Sequence, residues 1–531
     1  MEEVKGEMKE TISEKEIEKR KSNLKKFFFG WVKDNYDKIF IAVLILAFIV
    51  RLWIFFKTMN QPFWWDEADY MSAAKRWAGI TSISDIWYYR RGFLWPLIGS
   101  LFFRLNIGEI SMRFLVVLLS TGIIAVSYAI LSKMFDKKIA LIATTALSFS
   151  WILLFFTGRI LTDIPATFFI LLSLLFFWKG YVMKEGNKFL YFFGISFALA
   201  VLTRMQSFML FPPFLIYIFV KEKFKMFKNK QLWITVGIFI LLLIPQFVLY
   251  TLHYGNPLTD IASHYFGIGS SSDPVQDGTQ RGLTTAIFNY FTDLPYMLSI
   301  PIFLLFIIGI FYFFGDLFIG FDKIFKDENL QKKFFIFNWI VFLFLIMGYI
   351  GQISYVEERY ISAALPFLFL IAIYPLLSMG KFIAKHSKID QKMILSIIFI
   401  VVLLLLIPNV SNTLQLTDAK LSSYSQIQQA GLWIKANSNS TDLIMTASRP
   451  QILYYAERAV QSDDPHMWDN QSYFENEVKQ LKPQFLVLSV FEQSPDWLYN
   501  YPSQNPSKLT PVKAYYQGQQ PVVVIYKFNY S

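Results

Sequence analysis

The sequence predicts an α-helical polytopic membrane protein that ends in a small soluble α/β domain, and three observations predict it. Hydrophobic residues make up 54% of the chain and charged residues only 17%, far from the balance of a water-soluble protein. The apolar residues come in blocks of about 17 to 22, the length a helix needs to cross about 30 Å of hydrocarbon. After Pro408 the composition turns polar and stays so.

Along the chain, a charged tail over residues 1–37 precedes a first span at 38–56. Further spans fall at 111–132, 139–157, 164–179, 189–203, 205–220, 232–251, 296–315, 334–351, 361–379 and 393–409, about eleven transmembrane helices in all. The first apolar run has full spanning length and follows a long charged tail, so it reads as its own targeting signal and not as a cleavable one. Lysines set the orientation, because short cytoplasmic loops retain basic residues. Lys19, Lys21, Lys25 and Lys26 of the tail, Lys133/Lys137/Lys138, Lys179/Lys184/Lys188, the run Lys221 to Lys230, Lys323 to Lys333 and Lys381 to Lys392 alternate with lysine-poor connections. The amino terminus is therefore expected in the cytoplasm, and everything after residue 410 outside a cell membrane crossed many times. The net charge of +11 comes mostly from these lysines. It matches anionic headgroups of the inner leaflet and gives no reason to expect nucleic acid.

Residues 411–531 are long enough for one core. A helix over 423–436, a strand over 443–446, a helix over 450–457 and strands over 485–490, 511–516 and 522–528 predict a small α/β sandwich. Asp463, Asp464 and His466 read as a solvated loop, so the expected role of this domain is acceptor binding and not catalysis. Asn-x-Ser/Thr sequons stand at Asn409, Asn439, Asn470 and Asn529, and the chain has no cysteine with which to staple an exposed domain.

The chemistry concentrates on the predicted outer side. Phe63-Trp64-Trp65-Asp66-Glu67-Ala68-Asp69-Tyr70 puts three carboxylates directly after the first span, where acids are costly and neighbouring ones repel. Asp163, in Thr162-Asp163-Ile164-Pro165, reads as a helix start on the same side. Asp66, Glu67 and Asp163 together make a candidate oxygen-ligand site for a divalent cation, Mg²⁺ or Mn²⁺. Zinc is disfavoured by the lack of cysteine and the scatter of the four histidines. The outer connections carry arginines, Arg90, Arg91, Arg104, Arg159, Arg204, Arg281 and Arg359, whose planar fork suits phosphate oxygens. Spans such as 139–157, 296–315, 361–379 and 393–408 carry no ionisable residue at their centres. A transporter or flippase for a lipid-linked sugar, the alternative that would use the same arginines, needs a polar path that these centres do not supply.

The order of these features resembles the GT-C superfamily of glycosyltransferases. The residues that carry the likeness are Asp66-Glu67 opening the first outer loop, Arg159-Ile-Leu-Thr-Asp163-Ile-Pro in the second, Leu202-Thr203-Arg204 in a basic turn, and Glu358-Arg359-Tyr360 leading to Ala364-Leu365-Pro366. Within it the chain resembles protein O-mannosyltransferases and aminoarabinose transferases, over roughly residues 35 to 380. The resemblance implies a GT-C-like transmembrane domain over 38–410 with a catalytic outer loop at 57–110, and a donor sugar carried on polyprenyl (dolichyl or undecaprenyl) phosphate. It implies an acceptor hydroxyl or phosphate on a protein, glycan or lipid. It also implies Asp66 as catalytic base with Glu67 beside it, Asp163 near metal or acceptor, and Arg204, Arg359 and Arg90 or Arg91 on the donor phosphate. Members have a Pro-Pro-Leu turn after the basic residue; here Arg91-Gly92-Phe93-Leu94-Trp95-Pro96 stands instead, which leaves the choice between Arg90 and Arg91 open.

The reaction asks for the same residue types independently. Displacing phosphate from an anomeric carbon builds negative charge on the leaving oxygens, which guanidinium groups stabilise, and the acceptor hydroxyl must lose a proton to a nearby carboxylate. Trp64 and Trp65 have two readings, interfacial anchors or a stacking surface for sugar or isoprenoid. The connection from about 252 to 291, rich in Gly and Ser between Gly267 and Gly282, reads as a mobile lid or a linker.

Overall fold

The structure is a computed structural model and describes residues 34–81, 91–256, 282–353, 357–387, 389–461, 467–492 and 494–530. Arg90, Arg281, the middle of the 252–291 connection and the polar loop at Asp463, Asp464 and His466 lie outside the described residues.

Helices form the bulk of the chain. The first part comprises α1 (Asn35–Thr58), α2 (Trp65–Ala78), α3 (Leu94–Arg104), α4 (Gly108–Met134), α5 (Lys137–Ser148), α6 (Trp151–Thr157) and α7 (Asp163–Phe177). Then come α8 (Asn187–Thr203), α9 (Phe211–Glu222), α10 (Lys230–Tyr254), α11 (Leu283–Leu298), α12 (Ile300–Ile319), α13 (Glu328–Ile353), α14 (Leu365–His386), α15 (Gln391–Leu405) and α16 (Ile407–Lys420). Among the described residues eight helices are long and apolar enough to cross a membrane, or up to nine when the bent pair α5–α6 is taken as one span. The apolar blocks at 189–203 and 205–220 are shorter: α8 has 17 residues, and a 3₁₀ turn at Met205–Leu210 precedes α9.

The break between α5 and α6, a bend of 53°, leaves carbonyl groups at the end of α5 without helical partners. The buried Arg51 of α1 fills that gap: its guanidinium donates to the carbonyls of Ser148 (3.2 Å) and Ala47 (3.1 Å) and to Ser120 Oγ (2.8 Å). A charge in the first span thus serves as a helix cap. At the lysine-rich end of the bundle, Lys137 binds Asp34 (2.9 Å) and Asp37 (2.5 Å), tying α5 to the start of α1.

Helix continues past the predicted boundary at 410. Pro408 stands in the first turn of α16, where its missing N–H is not needed, so the polar switch does not end the helical path. Asn409 is buried there, donating to the carbonyl of Leu298 (3.1 Å) and to Ser299 Oγ (2.9 Å) and accepting from Trp151 N–H (3.3 Å). That sequon is a structural tie between three elements.

Beyond α16 come α17 (Ser425–Asn437), β1 (Leu443–Thr446), α18 (Arg449–Ala456), β2 (Ala459–Gln461), α19 (Gln471–Leu481), β3 (Phe485–Ser489), α20 (Asp496–Gln504), β4 (Leu509–Gln517) and β5 (Gln520–Phe528). The strand order is β2-β1-β3-β5-β4, with β1 parallel to β2 and β3 and with β5 antiparallel to β3 and β4. Side chains alternate across the sheet. Ile444, Phe485 and Val487 pack with Ile427 and Ile434 of α17 and Ile452 of α18, while Met445, Leu486 and Leu488 pack with Phe474 of α19 and Leu498 and Tyr501 of α20. The sheet is therefore covered on both faces. The short strand β2 and the helices α19 and α20 add to the elements expected from sequence.

This domain sits on α2. Tyr455 of α18 accepts from Phe63 N–H at 2.9 Å, Glu457 pairs with Lys75 at 2.9 Å, and Gln61 donates to the carbonyl of Lys420 at 2.6 Å.

Candidate active site

The two acids that open α2 part company. Glu67 turns inward and is fully buried. One of its oxygens accepts from Trp64 N–H (2.8 Å), closing the first turn of the helix, and from Arg159 Nη1 (3.2 Å); the other accepts from Ile160 N–H (2.6 Å). Arg159 in turn lies over the Trp64 ring at 3.8 Å, so a guanidinium takes one face of that ring. Glu67 is thus a brace between two loops. Glu67 was expected beside Asp66 as a catalytic acid and metal ligand; here both of its oxygens are bonded inside the protein and it is turned away from Asp66 and Asp163.

Asp66 faces the other way, one-third exposed. Its Oδ1 meets Arg91 at 3.0 Å and its Oδ2 meets Arg359 at 3.5 Å. Asp163, at the start of α7, is similarly enclosed, with Arg204 at 2.8 Å on Oδ1 and Arg359 at 3.6 Å on Oδ2. Arg359 therefore bridges the two acids, and it also binds Glu357 at 2.5 Å. Asp69, one turn beyond Asp66 on the same face, holds Arg91 Nε at 3.3 Å. Four of the seven candidate residues, Asp66, Asp163, Arg204 and Arg359, form one continuous cluster, and Arg91 joins it through Asp66. Arg104 stands apart and donates to the carbonyl of Trp77 at the end of α2 (2.7 Å).

The electrostatics separate the acids. Burial raises the Asp66 carboxyl, but Arg91, Arg359 and Arg204 outweigh it and hold the group below the ordinary carboxylate range. Glu357 goes the other way: burial raises it, Arg359 opposes, and nearby Asp163 and Asp66 add to the rise. Asp66 is thus held toward its ionised form and Glu357 toward its protonated one. The guanidinium groups of Arg204 and Arg359 are raised above their usual value despite burial, by Asp163 first. Both arginines lie near the Tyr360 ring, at 4.6 and 5.4 Å.

Among the described residues no group of three or more His, Cys, Asp or Glu side chains is placed to hold a metal ion. The set Asp66, Glu67 and Asp163 does not fit one, since Glu67 points away and all four oxygens of the two aspartates face guanidinium groups.

A small groove of about 50 Å³ adjoins this cluster. Asp163, Arg204, Arg359 and Tyr360 line its charged end, and Ile170, Leu210, Leu343, Ile346, Met347 and Ile350 line its apolar remainder, with Thr167, Gln206 and Ser207 between. The groove joins a cation-rich end to an apolar wall. Tyr360 stood in the sequence motif beside Arg359 without a role of its own, and the apolar groove wall had no signal in the sequence.

Arg91 owes its place to Gly92. A Cβ at that position would lie 2.0 Å from the carbonyl oxygen of Leu202, so only glycine lets the chain press against the end of α8, where Arg204 begins its turn. Gly92→Ala is expected to force the two segments apart, costing about 1–3 kcal/mol. Thermal unfolding in detergent, followed for the purified variant beside wild type, checks it.

The comparisons with known proteins bear on the fold and on one segment of the chain. Residues 91–249 match the family model described as dolichyl-phosphate-mannose-protein mannosyltransferase. No curated protein matches the chain in sequence. The chain is similar in structure to ArnT from Cupriavidus metallidurans bound to undecaprenyl phosphate, with a TM-score of 0.62 and 14% identity over 94% of this chain and 98% of that one. It is also similar to the oligosaccharyltransferase of Archaeoglobus fulgidus in the apo form (TM-score 0.61, 14% identity, 86% of this chain and 70% of that one). The Archaeoglobus fulgidus enzyme AglB in complex with an inhibitory peptide and a dolichol-phosphate matches with a TM-score of 0.59 and 12% identity over 92% of this chain and 74% of that one. At such identities the structures speak for the fold, which is that of GT-C enzymes. Together with the matched mannosyltransferase segment, which contains Arg91, Asp163 and Arg204, they make the chain a multi-pass membrane glycosyltransferase.

Proposed function

We propose that this chain transfers a single sugar from a polyprenyl phosphate to a hydroxyl or phosphate of a protein, glycan or lipid acceptor on the outer face of the membrane. The observation that carries the reading is the groove, whose charged end and apolar wall match the two parts of a lipid phosphate. The relatives seen with undecaprenyl phosphate and with dolichol-phosphate favour the same donor class. The lysines of the opposite end favour the cytoplasmic side for the amino terminus.

In this reading Arg204 and Arg359 hold the donor phosphate. The acceptor oxygen attacks the anomeric carbon as the bond from that carbon to the phosphate oxygen breaks. Asp66 takes the acceptor's proton, and the electron pair leaves with the lipid phosphate, whose charge the two guanidinium groups stabilise. One displacement of this kind inverts the anomeric configuration. Arg91 keeps Asp66 ionised and oriented, and Asp163 orients Arg204 and Arg359.

The test is purified protein with polyprenyl-phosphate sugars and a panel of acceptors, scored by acceptor mass and by release of lipid phosphate. Donor binding that survives Arg204→Met and Arg359→Met together would overturn the site. Because Arg91, Arg204 and Arg359 already balance the charge of Asp66 and Asp163, stripping divalent ions with a chelator is expected to leave the transfer rate unchanged. Loss of activity on chelation, restored by Mg²⁺ or Mn²⁺, would return a cation to the mechanism.

A further inference from the structure

We infer that Gln246, in the second half of the apolar helix α10, is a positioning residue for Asp66 that acts through Arg91. The inference rests on Asp66 being the base proposed above. Most of α10 is exposed along its length, with Ile240, Leu241, Ile244 and Val248 turned outward, yet Gln246 is only 1% exposed. An amide within an apolar span has to find partners. Gln246 finds both of its own on one short segment: Oε1 accepts from Phe93 N–H at 2.9 Å and Nε2 donates to the carbonyl of Arg91 at 3.1 Å. Tyr250, one turn further along α10, donates its hydroxyl to the same carbonyl at 3.3 Å.

The segment is held from the opposite side as well. Gly92, between the two clamped peptides, is pressed against Leu202 at the end of α8. With the backbone of Arg91 fixed by α10 and α8, its guanidinium crosses the Tyr70 ring at 5.1 Å and reaches Asp66 at 3.0 Å and Asp69 at 3.3 Å. The chain of contact from Gln246 to the carboxylate has two links. Loss of the clamp lets the Arg91 backbone shift, and a displacement of about 1 Å at a reacting group can lower a rate about 100-fold.

A merely structural glutamine would stabilise the bundle without acting through Arg91, and a double-mutant cycle separates the two. Gln246→Met keeps the shape and removes both hydrogen bonds. It is expected to lower kcat about tenfold, as loss of a buried pair of bonds would, with KM for the donor little changed. Combined with Arg91→Met it should lower kcat no further than Arg91→Met alone. Multiplying effects in the double variant, or wild-type kcat in Gln246→Met, would overturn the inference.

A second readout needs no turnover. The rate of Arg91 modification by phenylglyoxal, read by mass spectrometry of the native protein in detergent, should rise in Gln246→Met while that of Arg204 stays as in wild type. Equal Arg91 rates count against the clamp even where no transfer is measured. Should Gln246→Met fail to fold, Tyr250→Phe, which removes one of the two donors to the Arg91 carbonyl, carries the same expectations at smaller size, and an unchanged kcat and Arg91 rate there count against it. If Asp66→Asn and Arg91→Met both turn over like wild type, the base is at fault; if they fall and Gln246→Met does not, this inference alone is.

Discussion

Asp66→Asn should lower transfer turnover by about 100- to 10,000-fold, the usual contribution of a positioned general base. The variant keeps the shape of the side chain and one acceptor oxygen, so Arg91 and Arg359 lose a charge partner but not a neighbour. What it removes is the lone pair that accepts a proton. Turnover measured with saturating donor, beside donor binding measured separately, checks this: binding should persist while kcat falls. Equal turnover in variant and wild type would remove Asp66 from the reaction. The pH dependence carries the same sign. A carboxyl held below its ordinary range by Arg91, Arg359 and Arg204 stays ionised as the pH drops through that range, so the wild-type rate should hold at pH values where an unassisted aspartate would have begun to protonate.

Glu67→Ala should destabilise the protein by about 3–5 kcal/mol, the cost of stranding a buried charge. Arg159 is 1% exposed, and burial already brings its guanidinium down to about 10 against the pull of Glu67. Without that partner it remains enclosed by Trp64 and by the carbonyls of Pro62 (3.3 Å) and Lys420 (3.4 Å). The amides of Trp64 and Ile160 lose their acceptor in the same step. The apparent melting temperature in detergent should fall well below that of Asp66→Asn, although the two acids are adjacent in sequence. A melt equal to wild type would show the brace to be dispensable.

That contrast marks where sequence reasoning reached and where it stopped. The clustering of Asp66, Asp163, Arg204 and Arg359 was legible because charges beside apolar spans are few and the lysine pattern leads one to expect them on one side of the membrane. Glu67 was grouped with Asp66 because it is next to it, yet on a helix successive residues point about 100° apart and cannot both face one site. Asp69, three positions on, shares the face of Asp66 and holds the same arginine. Gln246 was hidden differently. A polar residue inside an apolar block announces a buried contact, but the loop it meets lies 153 positions away, and no local pattern names it. The strands β1, β3, β4 and β5 followed from their alternation, whereas the three-residue β2 is too short to carry a period.

The seating of the C-terminal domain on α2 bears on what counts as a unit of this protein. Composition draws a line near residue 410 between a part that dissolves in lipid and a part that dissolves in water. The hydrogen bond from Phe63 to Tyr455, the ion pair of Lys75 with Glu457 and the bond from Gln61 to Lys420 all cross that line, and each ends on the first loop or the helix that bears Asp66. The boundary in solubility is therefore not a boundary in cooperativity. The sheet domain serves as part of the scaffold of the first loop, and loosening either half of the chain is expected to loosen the other.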